Sequence, residues 1–156
     1  KAAIKFLKSK NINKIGVWGF SMGGAVALMT ASETPEIAVI VSESSYANLH
    51  KMSYALYRLP VLKYPLGWLT SFWAKIFLGI NASEISPQES AKKINIPVLI
   101  IHSKSDQTIP FSNALLLKKA LEKNSLAEFW FTDNLTHGET IKEYEKRLES
   151  FFNNNL

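Results

Sequence analysis

The sequence predicts an α/β domain in which a parallel sheet is covered by helices on both faces. Two observations carry that reading. Short, continuous apolar runs recur along the chain, without the polar alternation of a half-exposed sheet, and amphipathic helical segments separate them. A third feature interrupts the alternation: residues 44–93 hold no good strand but many aromatic side chains.

Lys1 to Lys10 reads as a helix, with Ala2, Ala3, Phe6 and Leu7 on one face. Lys14-Ile15-Gly16-Val17-Trp18-Gly19 is then a short buried strand, and Ser21 to Ser32 a helix of small residues. Glu36 to Ser42, continuous through Ile37-Ala38-Val39-Ile40-Val41, forms a second strand. Val98 to His102, introduced by Pro97, forms a third, and Glu128 to Thr132 a fourth. A helix over Phe111 to Lys123 turns Ala114, Leu117 and Leu121 inward. The closing helix, Glu139 to Phe152, spaces Ile141, Tyr144, Leu148, Phe151 and Phe152 along one stripe before a frayed Asn153-Asn154-Asn155 end.

The interruption divides the chain into 1–43, a helical cap insertion at 44–93, and 94–156. A structureless loop of that length is uncommon inside an α/β domain, so a cap is expected. Its aromatics are Tyr46, Tyr54, Tyr57, Tyr64, Trp68, Phe72, Trp73 and Phe77. Leu66, Leu69, Trp73, Ile76, Phe77 and Ile80 share one helical face, which leaves Trp68 and Phe72 exposed on another. The run from Leu66 to Ile80 is broken by Lys75 and too short to span a bilayer, so membrane contact is the minority reading.

Composition narrows the chemistry. The hydrophobic fraction of 47% and charged fraction of 20% are ordinary for a soluble globular protein. With no Cys, disulfide scaffolds, a thiolate nucleophile and Cys-based zinc sites are excluded. The formal charge of +5 is carried by dispersed lysines such as Lys92-Lys93 and Lys118-Lys119, near Glu89 and Glu122. Solvated helix faces account for that pattern, and no nucleic-acid partner is expected. The chain opens at Lys1 with no visible signal peptide, as though inside a domain, and a cytoplasmic location is expected.

Gly19-Phe20-Ser21-Met22-Gly23 is a G-x-S-x-G sequence between a strand and a helix. A nucleophile on so tight a turn needs small neighbours; Gly19 and Gly23 meet that requirement, and Gly24 and Ala25 extend it. The turn lifts the Ser21 hydroxyl above the sheet at a helix N-terminus, where the Met22 amide can help hold an oxyanion. Serine needs a base to become nucleophilic. Of the three histidines, His102 ends a buried strand and reads as a core residue, and His50 reads as a surface residue. His137 lies in the polar loop Asp133 to Gly138, between the last strand and the last helix, where a base is needed. Asp106, in the loop after the third strand, is placed to orient it. The order is Ser21, Asp106, His137, separated by 85 and then 31 residues. Glu43, just past the second strand, is the alternative acid.

These residues resemble the α/β-hydrolase family, and within it the serine-aminopeptidase-like and Bem46-like hydrolases. Gly-Phe-Ser-Met-Gly-Gly at 19–24 is similar to the nucleophile elbow. Ser86-Pro87, Ile96 to His102 and Asp106 resemble the acid region, and Thr136-His137-Gly138 the histidine loop. Ser103 departs from the Gly common after the strand histidine, which bears on how Asp106 is presented. The resemblance implies further strands ahead of the elbow, one of whose loops supplies a second oxyanion donor. The expectation is thus a poorly soluble, nearly inactive product from residues 1–156 alone, with an open sheet edge.

The function expected is hydrolysis of an ester, thioester or related acyl bond through an acyl-Ser21 intermediate, with no metal and no organic cofactor. Phe20, Trp68 and Phe72 are the candidate substrate contacts, for an apolar small-molecule acyl substrate. Peptidase activity, which the resemblance allows, and a non-catalytic ligand-binding module on the same fold are the alternatives.

Overall fold

The computed structural model describes residues 1–55, 61–79 and 81–156. Tyr57 and Ile80 of the aromatic insertion lie outside the described residues. Among those described, four strands form one sheet, parallel throughout: β1 (Ile15–Phe20), β2 (Ile37–Glu43), β3 (Val98–Ser103) and β4 (Ala127–Thr132), in the order β1-β2-β3-β4. The helices are α1 (Ala2–Ser9), α2 (Met22–Ala31), α3 (Leu49–Ala55), α4 (Lys63–Leu78), α5 (Pro87–Ala91), α6 (Ser112–Ala120) and α7 (Tyr144–Asn155).

The central strands are apolar at successive positions because both faces of the sheet are covered. Ile40, Val98 and Ile100 point into one core with Leu28 of α2 and Leu117 of α6. Val39, Val41, Leu99 and Ile101 point into the other, against Tyr144 and Phe151 of α7. Registers Phe20 to Glu43 and Glu43 to Ile101 bring β1 and β2 to a level end at the C-terminal edge of the sheet, and β3 runs two residues further, to Ser103. The site is built at that edge. Strand β1 lies at one side of the sheet, where Phe6, Trp18, Met22 and Val26 are exposed.

Several expected elements shift. In α1 the buried strip runs through Ile4 and Leu7, which leaves Ala2, Ala3 and Phe6 outside. Helix α7 begins at Tyr144 rather than Glu139, because Gly138 takes φ 88° and the Glu139 carboxylate accepts the Thr136 N–H at 2.6 Å. The asparagines at its end are helical rather than frayed, and Asn155 Nδ2 donates to the Phe151 carbonyl at 2.8 Å.

Between β2 and β3, α5 is buried in the first core through Pro87 and Ala91. Helices α3 and α4 pack on each other, with Gly67 so close to Tyr54 that an added Cβ would lie 2.4 Å from its ring. The single apolar face expected for this helix is not buried. Leu69, Trp73, Ile76 and Phe77 are exposed along with Trp68 and Phe72.

Candidate active site

Strand β1 ends at Phe20, and Ser21 follows at φ 54°, ψ −117°, a left-handed conformation unusual for a residue with a side chain. Such strain costs about 1–3 kcal/mol and persists only where the surroundings impose it. Here they do: the Ser21 N–H donates to the Glu43 carbonyl of β2 at 2.8 Å. The Ser21 carbonyl accepts from the Gly24 and Ala25 amides at 3.1 and 3.3 Å, which opens α2. Met22, the first residue of that helix, has no intrahelical acceptor for its N–H.

The glycine requirement of this turn is placed differently from the expectation. A Cβ on Gly19 would lie 2.2 Å from the Gly23 carbonyl oxygen, and one on Gly24 would lie 2.8 Å from Ser42 Oγ and 2.9 Å from the Gly19 oxygen. Gly23 itself has open space around the same position. The turn is thus closed by Gly19 and Gly24, because β1 and the start of α2 meet backbone to backbone there.

Asp106 sits in the turn after β3, fully buried at its side chain. Its Oδ1 accepts the Thr108 and Ile109 amides, both at 2.8 Å. Its Oδ2 lies 2.7 Å from His137 Nδ1. On the other side of the imidazole, His137 Nε2 is 3.1 Å from Ser21 Oγ. A carboxylate can only accept, so Nδ1 carries the proton and Nε2 is left to accept from the serine hydroxyl. The loop that carries His137 turns twice through left-handed backbone, at Asn134 (φ 60°) and Gly138 (φ 88°).

Of the remaining expected site residues, Phe20 packs its ring on the His137 imidazole, with centroids 4.7 Å apart. Glu43 does not reach that imidazole. Its Oε2 accepts from Trp18 Nε1 at 3.1 Å and from the Tyr144 hydroxyl, which ties β1 to α7. Burial, reinforced by Glu43, holds the Tyr144 phenol well above its ordinary range, so the phenol is the donor. The acid bonded to His137 is Asp106, and Glu43 is engaged by Trp18 and Tyr144 instead. Trp68 and Phe72 stack on each other at 5.2 Å and line an open cleft with His50, Ser71, Lys75 and Ala82, a lining that contains none of Ser21, Asp106 or His137. His50 is half-buried, edge-on to Tyr54.

Ser103 is a residue that sequence reasoning met only as an irregularity. Its hydroxyl donates to the Leu135 carbonyl at 2.7 Å and accepts from the Ser105 and Leu135 amides at 3.2 and 3.3 Å. One side chain thus joins the acid turn to the histidine loop. His102, buried as expected, has Nε2 2.9 Å from the Ile109 carbonyl and braces the same turn. Burial lowers its pKa, so the ring is neutral and Nε2 is the donor.

A parallel sheet with a strained serine at a strand-to-helix elbow, and histidine and aspartate on later loops, defines an α/β-hydrolase fold. The chain belongs to the prolyl oligopeptidase family, whose model it matches over residues 2–156. It is 30% identical over 97% of its length to the uncharacterized protein YqkD of Bacillus subtilis, of which it covers 52%. Among solved structures it is similar to the Pyrococcus furiosus esterase Pf2001, at 26% identity and TM-score 0.73, over 99% of this chain and 59% of that one. It shares its fold with the Pyrococcus horikoshii acylaminoacyl peptidase, at 20% identity and TM-score 0.73, over 97% of this chain and 26% of that one. The chain therefore spans about half the length of the curated relative, and its family and neighbours are those of serine hydrolases.

Proposed function

We propose that this chain carries the catalytic residues of a serine hydrolase that cleaves an ester, thioester or related acyl bond. The observation that supports it is the hydrogen-bonded series Asp106 to His137 to Ser21. In this reading Ser21 Oγ attacks the acyl carbonyl carbon while its proton passes to His137 Nε2. The oxyanion gathers on the carbonyl oxygen, beside the Met22 N–H. As the intermediate collapses, the bond to the leaving group breaks and His137 returns the proton to it, which leaves acyl-Ser21. Water then attacks, gives its proton to Nε2, and the acid departs as Ser21 is reprotonated. Protons balance within Ser21, His137 and water, and Asp106 stabilises the transient imidazolium.

A small-molecule substrate with an apolar acyl group fits the aromatic insertion, and we propose that α3 and α4 act as the cap over the site. Peptide-bond cleavage is the second reading, favoured by membership of a peptidase family.

Fluorophosphonate labelling with mapping of the modified peptide tests the mechanism, with Ser21→Ala as control. Labelling at Ser21 is expected. A well-folded protein that takes no label would put the non-catalytic binding module in front. Acyl esters and aminoacyl amides assayed side by side separate the two enzymatic readings, with turnover of the esters expected to be the faster.

A further inference from the structure

We infer that α4 is a docking surface for an anionic phospholipid bilayer, on which the helix lies flat. The inference stands on the exposure of this helix and on where the chain keeps its charge, and it does not rest on the hydrolase reading.

Helix α4 exposes Trp68, Leu69, Phe72, Trp73, Ile76 and Phe77, each by 41% or more. Most of these are aromatic, and they form a ladder: Trp68 stacks on Phe72 at 5.2 Å, Phe72 meets Trp73 edge-on at 5.4 Å, and Trp73 stacks on Phe77 at 5.1 Å. A helix that is apolar nearly all round is ordinarily buried. This one is held to α3 where Gly67 meets Tyr54, keeps Leu66, Ser71 and Ala74 half-buried, and turns its aromatic ladder outward.

Charge identifies the occupant. Between Glu43 and Glu84 the sequence contains no Asp or Glu, while Lys51, Arg58, Lys63 and Lys75 fall in that stretch, Arg58 outside the described residues. That segment alone therefore supplies four of the chain's five net positive charges. Counted over the whole chain the lysines look dispersed; counted along the sequence, the excess falls in the segment that carries the exposed aromatics, where Lys51 and Lys75 are exposed cations among the described residues. A second copy of this surface would bring like charges together. A neutral protein groove would leave the cations unanswered, whereas an anionic headgroup layer pairs with them and takes the Trp and Phe rings at the boundary of its acyl region. At 16 residues, α4 is about 24 Å long, shorter than the roughly 30 Å hydrocarbon core, so it lies in the plane rather than across it. Among the described residues no helix is long and apolar enough to cross a membrane.

The test is co-flotation of the full chain with vesicles of phosphatidylcholine alone and of phosphatidylcholine with about one-third phosphatidylglycerol, at low and at about 0.5 M salt. Expected is partition onto the anionic vesicles at least about tenfold above the zwitterionic ones, lost at high salt, with a blue shift of tryptophan emission. Trp68→Ser/Phe72→Ser/Trp73→Ser/Phe77→Ser removes both binding and the blue shift, while Trp18 and Trp130 report an unchanged fold. Lys51→Glu/Lys75→Glu keeps every ring and loses the preference for anionic lipid. No flotation at low salt, or equal flotation of the four-ring variant, would overturn the inference. So would a concentration-dependent dimer that shields Trp68 and Trp73, which would assign the face to a second copy. Because no substrate is used, a protein that labels at Ser21 yet ignores vesicles sinks this inference alone.

Discussion

Asp106→Asn is the substitution whose consequence the geometry specifies most closely. The carboxylate uses both oxygens: Oδ1 holds the Thr108 and Ile109 amides at 2.8 Å, and Oδ2 holds His137 Nδ1 at 2.7 Å. An asparagine has one oxygen, and keeping two backbone bonds outweighs keeping one. Turned the other way, its NH2 would face two amide N–H groups, at a cost of about 2–3 kcal/mol. The NH2 therefore points at His137, Nδ1 must become the acceptor, and Nε2–H faces Ser21 and cannot take its proton. Even the minority that flips back lacks the charge that stabilises the imidazolium, which removes about 2–3 kcal/mol more. Together these amount to roughly a thousand- to ten-thousandfold in kcat. Hydrolysis of a chromogenic acyl ester, with the rate of fluorophosphonate labelling beside it, reads the effect. The melting temperature should fall by only a few degrees, because the backbone bonds survive. A kcat within tenfold of the parent would refute Asp106 as the orienting acid.

The other predictions concern how the loops are held. Ser103→Ala removes three hydrogen bonds that share one hydroxyl, so we expect a loss of about 1–2 kcal/mol, seen as a few degrees in thermal melting. A several-fold fall in kcat with KM unchanged should accompany it, since the side chain faces the loops rather than a substrate. Gly19→Ala should cost about 3 kcal/mol or more, because its Cβ would collide with the Gly23 carbonyl, whereas Gly23→Ala should be neutral or stabilising by up to about 1 kcal/mol; equal melting of the two variants would contradict the placement of the turn. His102, depressed chiefly by burial from its ordinary 6.5, is protonated more readily in the unfolded chain. Its contribution is therefore complete above about pH 6.5 and is lost as pH falls, at up to about 1.4 kcal/mol per unit. His102→Gln should flatten the drop in melting temperature between about pH 7 and pH 5.

How legible these features are in the sequence depends on whether their cause is local. The strands are legible because Ile37 to Val41 and Val98 to Ile101 must be apolar on both sides, and no other element explains such runs. The elbow is legible because a strained Ser21 needs neighbours without side chains, yet the pattern could not tell which glycine answers the need. Only the crossing of β1 and α2 assigns it to Gly19 and Gly24 rather than Gly23. The start of α7 is illegible for a similar reason: Glu139 and Ile141 keep helical spacing, but the Glu139 carboxylate is drawn to the Thr136 N–H, where that bond holds it below its ordinary range. In α4, helical spacing sets Leu69 and Trp73 on one face and Trp68 on another, but it carries no information about what covers either face, and all three are exposed.

Glu43 and Ser103 show how the site depends on ties that no motif announces. Ser21, Asp106 and His137 come from three loops, and the chain segments between them run the length of the domain. What brings them within hydrogen-bond range is the pairing of β1, β2 and β3 at their C-terminal ends, Phe20 opposite Glu43 and Glu43 opposite Ile101, pinned by the Ser21 N–H on the Glu43 carbonyl and the Ser44 N–H on the Ile101 carbonyl. The Glu43 side chain then links Trp18 of β1 to Tyr144 at the head of α7, partners 25 and 101 residues away. Ser103 links the acid turn to the histidine loop across 32 residues. A carboxylate after β2 could serve as an acid only if it were free of Trp18 and Tyr144. Because it is not, Glu43 braces the helix that follows the histidine loop, and among the described residues Asp106 is the carboxylate hydrogen-bonded to His137.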